Sequence, residues 1–264
     1  MGVGWFVVCF AVLLIGVTKS GFGSGVGLMI VPMTAIAMAH TPYGEKAALG
    51  LLLPLLILGD LLAVGQYRKL FDKRIVRRLM PGTLVGVVLG ALLLWWIGKQ
   101  HDELAAALMR VEIGIEAIVL VAIHWWRIWR GEQQKLITEP LRGNVTGAFA
   151  GISSTLAHAA GPVIALYLLP LHLDRRFFVG TTAVYFFILN TLKLPAYWRS
   201  GQFSAAPLNL SLRFVPLVIV GAAIGWWLNR HITDKLFSKV VYVLTFLLGW
   251  YILIDGTWLL LKRW

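Results

Sequence analysis

The sequence predicts an all-α polytopic membrane protein made of two homologous four-segment repeats, each with a Gly-rich broken or re-entrant helix. Three observations predict it. The 264-residue chain is 59% apolar and only 14% charged, with a mean hydropathy of +0.79, so a soluble globule would expose too much apolar surface. Its polar residues gather in short clusters between apolar runs near the ~20 residues that cross a ~30 Å hydrocarbon core. None of these runs alternates as the ~10-residue strands of a β-barrel would. The same Gly and Pro pattern also occurs twice. At an offset of 130, Gly21 meets Gly151, Ser24 meets Ser154, Pro32 meets Pro162, Gly50 meets Gly180, Asp60 meets Asn190 and Tyr67 meets Tyr197. A five-residue insertion resets the offset to 135, pairing Arg78 with Arg213, Pro81 with Pro216, Gly86 with Gly221 and Gly90 with Gly225.

Along the chain, residues 4–17 form an apolar run of 14, Lys19 to Gly27 is a Gly-rich break, and 28–39 is again short. Runs of this length read as half-helices or re-entrant hairpins and not as independent spans. Full spans follow at 47–66, 79–98 and 104–126. The stretch 127–142 (RIWRGEQQKLITEPLR) is the one long polar linker. It divides a first repeat, 1–130, from a second, 143–264, with a cytoplasmic linker at 131–142. In the second repeat, 143–157 and 161–171 are short runs around a break at Ala159 to Pro162, followed by spans at 177–197, 212–229 and 238–261. The N-terminal run has no basic leader and no A-x-A site, so it reads as retained structure. The series Gly82, Gly86, Gly90, echoed by Gly221 and Gly225, has the small-xxx-small spacing of close helix packing. Trp residues near span ends read as interfacial belts.

Two topologies fit these segments. Eight full spans in parallel halves divide Lys and Arg 14 inside to 8 outside. Six spans plus two hairpins, with the second half inverted, place 68–78, 127–142, 175–176 and 230–239 inside and divide them 15 to 7, leaving Lys19 and Lys193 within the membrane. The inverted arrangement is preferred because it sets two broken helices face to face at the midplane, as in secondary transporters.

The formal charge of +12 could suggest nucleic acid, but basic residues of membrane proteins sit in cytoplasmic loops against anionic headgroups. The bilayer, not nucleic acid, is therefore the expected partner. Single Cys9 allows no disulfide framework and no Cys-based metal site. No Walker loop, dinucleotide fingerprint or metal-ligand run occurs, so no cofactor and no metal is expected.

The residues that can carry chemistry cluster at the breaks. In KSGFGSGVG, Lys19 to Gly27, the glycines Gly21, Gly23 and Gly25 uncover backbone N–H groups near a helix start, Lys19 adds a charge, and Ser20 and Ser24 add hydroxyls. Such a loop can hold an anion; the plain alternative is tight packing with Lys19 snorkelling to the surface. The matching segment ISSTLAHAAGP presents Ser153, Ser154, Thr155 and His158 ahead of Gly161. Lys193 lies in an otherwise apolar span three residues after Asn190, on the same helix face. A cation there costs roughly 2.5–3.5 kcal/mol on insertion scales, so it needs a partner or a purpose. Asp60, at the place equivalent to Asn190, suits a salt bridge or a reversible proton. Glu112 and Glu116, spaced i,i+4, suit a proton relay or pairing with a neighbouring helix. Ser154 and His158 also allow a membrane hydrolase, although no orienting carboxylate is apparent nearby, and no catalytic residue is assigned.

KSGFGSGVGLMIVP at 19–32 resembles the first-repeat motif of the TauE/SafE sulfite and sulfonate exporters. Gly151 with GPVIALYLLP at 161–170 is similar to its second-repeat partner, and RRFFVGTTAVYFFILNTLKLP at 175–195 to the segment that follows. The resemblance spans most of the chain. It implies a non-enzymatic, multi-pass transporter of the cell membrane, in a prokaryote the cytoplasmic or inner membrane. The substrate it implies is a small sulfur oxyanion such as sulfite, or an organosulfonate. Second repeats of that family often carry consecutive glycines where this chain has Ala157, His158, Ala159 and Ala160, a difference that bears on substrate size and pH response. The mechanism expected is alternating access around the two facing breaks with Lys19 or Lys193 holding the anion, and with proton coupling through Asp60, Glu112 or Glu116. An anion channel is the alternative. Direction of transport, coupling ion and oligomeric state are left open.

Overall fold

The computed structural model describes residues 3–23, 30–39, 41, 43, 47–97, 102–129, 140–171, 173–201, 203, 205–231 and 233–262. Among them there are helices and no strand. In chain order these are α1 (Val3–Val17), continued by a π-helical turn (Thr18–Phe22), α2 (Ile30–Ala39), α3 (Ala47–Gln66), α4 (Lys73–Ile97), α5 (Asp102–Trp129), α6 (Pro140–Ala157), α7 (Gly161–Leu168), α8 (Arg175–Leu192), α9 (Leu194–Arg199), α10 (Ala205–His231) and α11 (Asp234–Leu261). Five stretches are long and apolar enough to cross a membrane: Gly4–Phe22, Ala47–Gln66, Lys73–Trp96, Arg175–Arg199 and Pro207–His231. At ~1.5 Å per residue, the 28-residue helices α5 and α11 also exceed a bilayer's thickness. The chain is a polytopic helical membrane protein.

The first element differs from the half-helix expected of so short an apolar run. That run ends at Lys19, but the helix passes through Lys19 as a π turn and stops only at Gly23, whose φ of 72° is open to glycine. The lysine is tolerated because a carboxylate meets it inside the bundle. In the second half α6 starts at Pro140, inside the stretch read as linker, and stops at Ala157. His158 adopts φ 54° and α7 starts at Gly161. The span expected at 177–197 is divided at Lys193 into α8 and α9. Pro195 accounts for the bend, since its ring removes a backbone donor.

Glycines bring helices to backbone contact. Along α4, Gly82 meets Asn144, Gly86 meets Ala148 and Gly90 meets Ile152 of α6, so these two helices run parallel. Along α10, Gly221 meets Leu13 and Gly225 meets Val17 of α1, again parallel. The two contacts correspond. Gly16 lies against Val218, Gly221 and Ala222, and its counterpart Gly151 lies against Thr83, Gly86 and Val87. The register between α1 and α6 is therefore 135, not the 130 that aligns Gly21 with Gly151. The 130 register holds at α3 and α8, where Asp60 touches Asn190. The offset at which contacts match thus falls by five between α1 and α3.

Helices α3 and α8 run antiparallel, with Asp60 against Asn190 and, beyond the end of α3, Leu70 against Gly180. So do α5 and α11, with Arg110 against Asp255 and Trp125 against Phe246. One apolar core lies among α1, α2, α3 and α10. A second joins α4, α7 and α8. Outward-facing Leu84, Val85, Val88 and Leu92 of α4 are 49–59% exposed, a face suited to lipid.

Candidate functional site

The polar groups between the two cores arise from helix breaks and from one helix crossing. Lys19, on the π turn, directs its Nζ to Asp60 Oδ1 of α3 at 2.8 Å. Asp60 Oδ2 accepts a hydrogen bond from Asn190 Nδ2 of α8 at 2.6 Å. The Lys19 ammonium also sits 4.2 Å from the centre of the Phe186 ring, a cation–π contact. Asp60 is wholly buried and the Lys19 side chain is 11% exposed. No N–H of Lys19 beyond the one facing Asp60 has a hydrogen-bond acceptor among the described residues. The neighbouring Ser20 hydroxyl is buried and also without a partner among them. The site therefore holds unused donors, which in a buried location costs free energy.

Lys193 is fully buried and its three donors are all engaged: Nζ donates to Ser154 O at 3.0 Å, to Ser154 Oγ at 2.9 Å and to His158 Nδ1 at 2.7 Å. A ring nitrogen that accepts from an ammonium is unprotonated, so the imidazole carries its proton on Nε2, which faces Leu49 O of α3 at 3.4 Å. The end of α6 supplies this arrangement, because the left-handed backbone at His158 turns the chain out of the helix beside Lys193.

Two tyrosines hold the breaks in place. Tyr67 OH donates to Ser20 O at 2.6 Å, and Tyr197 OH donates to Thr155 O at 2.8 Å. From α10, Asn229 Nδ2 donates to Gly21 O at 2.7 Å. At Gly23 an added Cβ would collide with Thr182 Oγ1 of α8. Ser153 is buried, and Thr155 Oγ1 returns to Gly151 O at 2.7 Å.

The structure thus brings Lys19, Ser20, Gly21, Gly23 and Asp60 to one side of the α3–α8 crossing, with Asn190 on it. Ser154, His158 and Lys193 form a second cluster. Gly161 opens α7. Ser24 and Gly25 lie outside the described residues, as do the side chains of Glu112 and Glu116 on α5. Ser154 and His158 both face Lys193; the His158 backbone N–H donates to the Ser154 carbonyl, but their side chains share no hydrogen bond, and the second imidazole nitrogen meets a carbonyl where a triad would have a carboxylate. Among the described residues no group of three His, Cys, Asp or Glu side chains stands ready for a metal ion. Reasoning from sequence missed Phe186, Asn229 and the two tyrosines as site groups. The Tyr67 and Tyr197 match was visible, but a tyrosine near a span end reads first as an interfacial residue.

The class defined is a multi-pass helical membrane protein with a buried, partly unsatisfied charge cluster at its helix breaks. The family described as Sulfite exporter TauE/SafE matches residues 8–252, and the chain belongs to it. No curated protein and no solved structure matches the chain. Membrane transport of an anion is the activity of that family.

Proposed function

We propose that this protein moves a small sulfur oxyanion, sulfite or an organosulfonate, across the cell membrane by alternating access around the α3–α8 crossing. One observation carries the reading. Fully buried Lys193 and nearly buried Lys19 stand near a single carboxylate, Asp60, leaving an excess of one positive charge in this cluster. A buried uncompensated charge is costly, and a bound monoanion removes the excess. Lys19 offers its spare N–H groups and Ser20 its hydroxyl, the donors that suit an oxyanion where water is excluded. Glycines at the π turn let backbone approach the ligand, and π turns are frequent at functional sites.

Two inverted halves supply the moving parts in this reading. The antiparallel pairing of α3 with α8, which correspond at 130, and of α5 with α11 supports inversion. So do the matched contacts of α1 with α10 and of α6 with α4, each pairing an element of one half with an element of the other. The basic residues of 68–78, 175–176 and 230–239 then share one face, the cytoplasmic side by the positive-inside rule. Purified protein in liposomes tests the function: radiolabelled sulfite and a series of sulfonates should accumulate or exit faster than in empty vesicles. Lys19→Met should lower that flux at low substrate concentration. Equal rates in protein-free and protein-containing vesicles for every sulfur oxyanion would end the proposal.

A further inference from the structure

The Lys193–His158 contact has a consequence beyond anion binding. We propose that His158 is a proton-binding site and that the protein carries one proton together with each monovalent anion. The inference rests on the anion-transport reading above.

In the structure Lys193 spends all its donors on Ser154 O, Ser154 Oγ and His158 Nδ1, so it has none to offer an anion. A proton can reach the imidazole only at Nδ1, because Nε2 is already protonated and faces Leu49 O. Its arrival forbids the close Lys193–His158 contact, since both nitrogens would then be donors. The Lys193 N–H is released, and a second N–H, on Nδ1, appears beside it. One proton thus converts a closed pair into two converging cationic donors.

The surroundings of His158 determine what must accompany that proton. Lys193 lies between α8 and α9, Ser154 on α6, the Leu49 carbonyl on α3 and the Tyr197 ring, 5.6 Å away, on α9. The remaining charged groups that bear on the pair are Lys19 and Asp60, and Asp60 is already held by Lys19 and Asn190. No described carboxylate is available to take up the new charge. Protonation alone would raise the excess positive charge from one to two beside the fully buried Lys193. An anion bound between Lys193 and His158 offsets it, so proton and anion bind cooperatively, each raising the affinity of the other by the same factor. Movement of the pair is electroneutral for a monoanion, whereas an anion alone would respond to voltage at about 2.3 kcal/mol per 100 mV.

Methanesulfonate is the probe, because it stays ionised across the range in which imidazole titrates and so brings no proton of its own. In liposomes containing the wild-type chain and a lumenal pH dye, an acid-outside gradient should drive methanesulfonate uptake with one proton entering per sulfonate. A potassium diffusion potential set with valinomycin should not change the rate. Over the rising part of the profile the rate should climb by up to about tenfold per unit of acidification, the limit for one-proton linkage. His158→Gln keeps an acceptor for Lys193 and a donor for Leu49 but cannot take the proton. Any flux it retains should follow voltage and ignore the pH gradient. Wild-type sulfonate flux that tracks voltage, is indifferent to pH and moves no protons would overturn the proposal while leaving anion transport intact. Absence of both methanesulfonate and sulfite flux in the wild type would remove the anion reading, and this inference with it. Because the wild-type stoichiometry is itself decisive, poor folding of His158→Gln would not spare the proposal.

Discussion

Replacing Asp60 with Asn keeps the shape of the side chain and the contact with Asn190 but takes away the carboxylate that faces Lys19 at 2.8 Å. The lysine ammonium is then left with the Phe186 ring and no anion. Two independent magnitudes bear on the cost. Breaking a buried pair by removing one partner costs about 3–5 kcal/mol, and a cation at a bilayer centre costs roughly 2.5–3.5 kcal/mol on insertion scales. Both apply here, because Asp60 is wholly buried and Lys19 nearly so. A loss of about 3 kcal/mol corresponds to a fall in melting temperature of about 6–12 °C for a chain of this size. Melting of the detergent-purified protein, followed by tryptophan fluorescence, reads it directly. The double variant Asp60→Asn with Lys19→Met removes both charges, and more than half of the lost stability should return, since the penalty belongs to the orphaned ammonium and not to the missing pair. Two results refute the reasoning: an Asp60→Asn protein that melts with the wild type, or a double variant less stable than either single one.

Lys19→Met should weaken apparent sulfite affinity by about 1.5–3 kcal/mol, or roughly 10–150-fold, the worth of a hydrogen bond to a charged group. Concentration dependence of liposome flux measures this, and an unchanged half-saturation would count against Lys19 as a ligand. Lys193→Met should weaken affinity less at neutral pH, because its donors are occupied by Ser154 and His158, and more under acid conditions. Gly86→Val and Gly221→Val should each lower the yield and melting temperature of folded protein. A side chain there would enter the backbone of Ala148 or Leu13, and overpacking costs about 1–3 kcal/mol; normal melting of both would contradict the parallel contacts. A reporter fused after Trp264 should be active only outside the cell and one inserted at 130–139 only inside. The reverse pattern at either place would refute the inverted arrangement.

Much of the helical plan was legible because span length is set by the bilayer and needs no knowledge of partners. The exception at α1 is instructive. Its apolar run ends at Lys19, and only Asp60, far along the chain on α3, makes it possible for a helix to carry that charge inward. No local pattern shows such a pairing. Lys193 was recognised from the cost of a cation in an apolar span, and Ser154 and His158 from polar groups at a helix break. That they meet depends on the bend between α8 and α9, of which Pro195 was the only local sign. Arg110 and Asp255, 2.6 Å apart across α5 and α11, escaped notice for the same reason as Lys19 and Asp60: the two partners belong to different helices, here in different halves of the chain. The glycines allow two registers at the first break, since Gly151 can meet Gly21 at an offset of 130 or Gly16 at 135, and only the helix contacts favour the second.

The matching contacts of the two halves also bear on the proposed chemistry. Tyr67 bonds to Ser20 and Tyr197 to Thr155 in matching fashion, so the two breaks are held by the same device. The charges do not match. Lys19 corresponds to Ser154, Asp60 to Asn190 and Lys193 to Ala63. Neither lysine has a charged counterpart in the other half, and one carboxylate stands against the two. In the proposed reading, one carboxylate against two lysines gives this centre the net positive charge that draws the anion in. A second carboxyl in Asn190→Asp would lie about where the amide now sits, 2.6 Å from Asp60, so the two would share one proton and the site would keep its charge; anion flux should persist at neutral pH and fall below the wild-type rate only at a pH high enough to remove that proton. Flux in that variant that matches the wild type even at high pH would mean that the excess charge is not what draws the anion in.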